Sequence, residues 1–139
     1  MLSLFALLVA CKPPVDAETV VVEGVDGLPV VTWSGADSEI LTFQLGADVL
    51  WNIQPTAPGP SCLNPLIGAD GVTFGELPPG YEAISFSGAP MDPPAPLEDG
   101  DDYSVGVGTC INVQDTVRSY YNSGAGFSVI DGEIVQHED

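Results

Sequence analysis

Apolar positions along the chain come in short runs, each closed by a turn-forming residue. Residues 18–25 are rich in valine and end at Asp26-Gly27, and residues 28–34 (LPVVTWS) end at Ser34-Gly35. Residues 40–45 alternate strictly, with Ile40, Thr42 and Gln44 on one face and Leu41, Phe43 and Leu45 on the other. That period of two belongs to a half-buried strand. After Gly46, residues 48–54 (DVLWNIQ) form the next run, in which Val49, Trp51 and Ile53 share a face. A break rich in proline and glycine covers residues 55–70. Further short runs follow at residues 71–74, 81–86, 103–111, 127–130 and 133–136. The last two are joined by Asp131-Gly132, a strong signal for a two-residue hairpin turn. Residues 114–123 fit neither period and are read as a loop or as one helical turn over the sheet edge.

No long stretch places apolar residues at helical spacing, and strands do not alternate with helices, which argues against a parallel α/β sheet. The pattern predicts one all-β domain over residues 18–139, an antiparallel sandwich of about seven to nine strands. Trp33 and Trp51 are expected in its core. Composition agrees: 16 glycines and 13 prolines are too many for a helical bundle and suit short strands joined by turns.

Two segments carry a resemblance. Pro29-Val30-Val31-Thr32-Trp33-Ser34 resembles the second strand of fibronectin type III and related immunoglobulin-like domains. Residues 96–105 (PLEDGDDYSV) are similar to a later segment of those domains, where a leucine and a tyrosine pack at the corner leading into a central strand. Residues 72–80 (VTFGELPPG) look like a segment of envelope lipoproteins of this sandwich type. The resemblance implies an immunoglobulin-like, fibronectin type III-like sandwich. It implies little about function, since this architecture hosts many roles.

The N-terminus reads as an address. Residues 1–10 (MLSLFALLVA) are apolar and uncharged. They are too few to span a bilayer, which needs about 20, and match the apolar core of a signal peptide. Leu8-Val9-Ala10-Cys11 then resembles the lipobox of bacterial lipoproteins, in which cleavage precedes the cysteine and its thiol accepts the lipid. The chain departs from the usual pattern in having no Lys or Arg before the apolar run, which fits a translation start upstream of Met1. A buried first strand over residues 2–9 is the competing reading, and Lys12-Pro13-Pro14 argues against it. The resemblance implies a signal peptide over residues 1–10, a lipid on Cys11, and a tether over residues 11–17. The expected location is the bacterial cell envelope, and Lys12 beside the cysteine favours the outer membrane.

With Cys11 given to the lipid, Cys62 and Cys110 remain to form one disulfide in an oxidising compartment. Metal binding is the alternative for this pair, but no histidine or further cysteine lies near either residue in sequence.

The charge balance narrows the partners. Asp and Glu number 20 against two cations, Lys12 and Arg118, giving a formal net charge of −18. Such a surface repels nucleic acid. The acids are spread along the chain and fit solubility, a salty medium or cation attraction. No catalytic residue is expected. The single histidine, His137, lies in a tail expected to fray, so no Ser-His-Asp arrangement is expected. Two features are candidates for binding. Asp99, Asp101 and Asp102 surround Gly100 with carboxylates that suit calcium, or form a solvated turn. Tyr120 and Tyr121 suit carbohydrate or protein contact, or simply pack on a strand edge. No other cofactor is implied, and the expected role is protein contact or structure, with calcium or carbohydrate binding as the alternative.

Overall fold

The computed structural model describes residues 19–137, apart from residues 36, 58, 63–65 and 116. The expected signal peptide, Cys11 and the tether through residue 17 lie outside the described residues. Nine strands follow one another: β1 (Val20–Val25), β2 (Leu28–Trp33), β3 (Ile40–Leu45), β4 (Asp48–Pro55), β5 (Val72–Thr73), β6 (Tyr81–Ala83), β7 (Asp102–Gln114), β8 (Val117–Ile130) and β9 (Glu133–Gln136). They form a three-stranded sheet, β1-β2-β5, and a six-stranded sheet, β6-β4-β3-β7-β8-β9. All pairings between strands are antiparallel, and no helix occurs among the described residues.

Sequence signals account for most of these strands. Asp26 and Gly27 turn at φ 53° and 80°, and Asp131 and Gly132 at φ 51° and 78°. Two consecutive positive φ values make the tight turn whose twist matches the flanking strands. In β3, Leu41 and Phe43 are fully buried while Ile40 and Thr42 are half-buried, as the alternation requires. Trp33 and Trp51 both lie in the core. Phe43 is its centre, with its ring 4.8 Å from Phe74, 6.0 Å from Phe127 and 6.1 Å from Trp51.

The first, second and fifth strands share one sheet, and the fourth, third, seventh and eighth lie in that order in the other. This is the A-B-E and C′-C-F-G distribution of immunoglobulin-like sandwiches, with β6 and β9 added at the two edges of the larger sheet. Tyr103 makes the corner into β7: its Oη accepts from Glu98 N at 2.8 Å and donates to Glu98 O at 3.3 Å. Gly100 turns the chain at φ 88°. Removing the hydroxyl in Tyr103→Phe deletes both part-buried hydrogen bonds to Glu98. It should cost about 0.5–1.5 kcal/mol, read as a lower thermal midpoint with the fold retained.

One segment departs from expectation. Gln114 and residues 117–123 are strand: β7 and β8 form one long hairpin that reverses at Asp115, φ 51°. The polar start of β8 shows no apolar alternation, yet its backbone pairs with β7 from Gln114↔Val117 to Asp102↔Ser128. A long ladder, broken by one irregularity between Cys110 and Asn112, overrides weak local propensity.

Candidate functional site

The sandwich gapes where an edge of each sheet comes to the same side. There β5, at the edge of the smaller sheet, and β6, at the edge of the larger, flank an open groove of about 490 Å³. Its walls mix aliphatic side chains and prolines (Leu66, Ile67, Leu77, Pro78 and Pro79) with polar groups, of which Asp70 and Glu76 are charged. Among the described residues, no Lys, Arg or His lines it. Leu66 is fixed from behind by two backbone hydrogen bonds of 2.9 Å with Ser38, whereas Ile67 and Leu77 stand half-exposed at the rim. Turns at Asp70 N to Ile67 O (3.1 Å), Glu76 N to Thr73 O (3.0 Å) and Tyr81 N to Pro78 O (3.1 Å) fix both walls.

Tyr81 joins the groove to a buried polar cluster. It is 7% exposed, and its Oη has no hydrogen-bond partner among the described residues. Beyond it lies Glu39, 0% exposed, whose amide donates to Gly108 O at 2.8 Å. The Glu39 carboxylate pairs with Arg118. The same guanidinium donates to Gly59 O at 2.7 Å and to Ser61 O at 3.0 Å. Burial pulls the Arg118 guanidinium down, but the hydrogen bond and charge of Glu39 outweigh it and hold it above its ordinary value. Arg118 is the only Lys or Arg among the described residues, and it is consumed inside the fold. The outer surface is therefore close to one-signed.

Two phenols beside this cluster give a pH prediction. Burial and then the Glu39 charge push Tyr81 well above the usual phenol range. Burial, followed by Glu39, also raises Tyr120, with Arg118 opposing. Both groups ionise near the ordinary value of 10.0 once unfolded, so above that pH the folded state holds more protons than the unfolded state. Their contribution to stability is full below about pH 10 and is lost above it. Phenolate absorbance should therefore lag in the folded protein and complete only with alkaline unfolding, and Tyr81→Phe should flatten the loss of stability.

His137 is not frayed, contrary to the sequence expectation. Its amide donates to Gly126 O at 2.8 Å, continuing the β8–β9 pairing, and its ring stacks over Gly126, where a Cβ would lie 2.9 Å from Nδ1. The ring meets Ser128 and Asp102, so a Ser-His-Asp contact does exist. Ser128 Oγ lies 2.5 Å from Asp102 Oδ1 and 2.6 Å from His137 Nε2. The hydroxyl donates to the carboxylate, leaving Nε2–H to donate to the hydroxyl. A catalytic triad needs the carboxylate on the other ring nitrogen and a base free to take the serine proton. Here the serine proton already faces Asp102, and Ser128 is buried. The contact ties β7, β8 and the end of β9 together.

The carboxylates of the 98–102 corner diverge. Asp99 Oδ1 accepts from Gly132 N at 3.0 Å, and Asp102 turns to Ser128. Among the described residues no group of three or more His, Cys, Asp or Glu is placed to hold a metal ion. Tyr120 and Tyr121 point apart as strand neighbours do: Tyr120 is half-buried by the Arg118 cluster, while Tyr121 is 52% exposed. Cys62 and Cys110 form the disulfide, S–S 2.02 Å, fastening the β4–β5 connection to β7 beside Tyr120. The sequence reading missed Glu39 and the groove. No protein-family model, curated protein or solved structure matches the chain.

Proposed function

We propose that this chain is a non-catalytic, lipid-anchored protein of the bacterial envelope whose immunoglobulin-like sandwich makes contact with another protein. The lipobox-like Leu8-Val9-Ala10-Cys11 and the Pro13-Pro14 tether support the anchoring. The observation that carries protein contact is the groove between the edge strands of the two sheets, rimmed by exposed Ile67 and Leu77. Apolar side chains left exposed together cost solubility unless a partner covers them. The disulfide and the buried Arg118 cluster hold the loops on one side of it rigid, which reduces the ordering cost of binding.

The test places a photo-reactive residue at Leu77 in the full chain expressed in a bacterial envelope, and another at Ile130. Ile130 is 53% exposed near the opposite edge of the larger sheet. A discrete protein adduct from position 77 and none from position 130 is expected. No adduct from 77, or the same set from both, contradicts the reading.

A further inference from the structure

We infer that the groove between β5 and β6 docks an extended polypeptide segment of the partner, apolar at its centre and flanked by Lys or Arg. This rests on the protein-contact reading above and names the chemistry of the partner.

Three observations converge. The first is charge. Asp70 and Glu76 line the groove with no cation beside them among the described residues, and the one arginine there is paired with buried Glu39. A basic segment therefore finds two carboxylates and meets no like charge, whereas an acidic one is repelled. The second is the rim: Ile67 and Leu77 line the groove half-exposed, and an apolar centre of a docked segment covers them.

The third is the backbone. Phe74 N donates back to Pro29 O at 2.9 Å, so Thr73, one residue earlier, turns its amide outward from β5, while its carbonyl already accepts from Glu76 N. An extended chain is the ligand shape that uses such an edge. The walls favour peptide over sugar. Carbohydrates stack on exposed aromatic rings, but the aromatic side chain lining this groove, Tyr81, is buried, and the rim is Ile67, Leu77 and Pro79.

The probe is a labelled peptide of sequence Lys-Lys-Val-Thr-Val-Thr-Lys-Lys, titrated by fluorescence anisotropy into the soluble domain from residue 12 onward with its disulfide intact. The salt is about 0.15 M, where charges beyond about 8 Å are screened. The same peptide with Ser for Val is expected to bind at least about tenfold more weakly. Glu76→Gln should weaken binding about two- to fivefold, and Leu77→Ser by a larger factor. Both residues are exposed, so unchanged melting curves will show that the variants fold.

Equal binding of the Val and Ser peptides, or no effect of either variant, would mean attraction to the acidic surface alone and overturns the inference. Binding of a peptidoglycan fragment in place of the peptide overturns it too, as does self-association that Leu77→Ser abolishes. If no peptide binds while position 77 still cross-links a protein, the partner chemistry is wrong and the protein-contact reading stands. If position 77 cross-links nothing, that reading fails by itself.

Discussion

Replacing Arg118 with methionine lowers the thermal midpoint by about 10–20 °C, corresponding to a loss of about 3–5 kcal/mol. The size follows from what the side chain leaves behind. Glu39 is 0% exposed and its carboxylate faces Arg118. Removing one partner of a buried pair leaves an uncompensated charge in the fold, which costs far more than the intact pair contributes. The carbonyls of Gly59 and Ser61 lose their donor in the same step. Replacing both partners, with Glu39→Leu added to Arg118→Met, should restore roughly half of the loss or more, because an apolar pair has no charge to strand. A single variant that melts within about 2 °C of the parent would show that the pair is not what holds this end of the sandwich.

Reduction of the disulfide, or the double substitution Cys62→Ser and Cys110→Ser, destabilises the domain by about 4 kcal/mol in the chain-entropy model for a loop of this length. The two cysteines are 48 residues apart and close the excursion through β5 and β6 onto β7. Arg118 grips the carbonyl of Ser61, the residue next to Cys62, so disulfide and guanidinium restrain the same loop. Their losses should therefore not add. In a double-mutant cycle, Arg118→Met should cost less in the reduced protein than in the oxidised one, by about 0.5–3 kcal/mol. Strict additivity, read from denaturant midpoints, would mean that the loop is held independently at each point.

Much of the fold was legible because the strands facing the core announce themselves. The strict alternation of residues 40–45, the Asp-Gly turns and the Tyr103 corner each impose a local geometry that the structure contains. The start of β8 was not legible. Val117 to Ser123 has no apolar period, and only pairing with β7 makes it a strand. The candidate site was least legible of all. Glu39 is one acid among the 20 Asp and Glu, and nothing near it in sequence marks it as the buried one. The groove unites the walls around Ile67 and Leu77 with Tyr81, a combination set by which strands end up at the sheet edges. His137 misled for the opposite reason. Its place near the end of the chain suggested fraying, yet the β9 pairing carries it onto Gly126 and Ser128.

The central claim is that Cys11 tethers this sandwich to a membrane. The direct measurement is incorporation of a labelled fatty acid, followed by membrane fractionation, for the full chain and its Cys11→Ser variant in a bacterial host. The account predicts labelled, membrane-bound protein whose label and sedimentation are both lost in Cys11→Ser and kept in the Cys62→Ser, Cys110→Ser protein. Unlabelled parent protein in the soluble fraction, or label that survives Cys11→Ser, would contradict it.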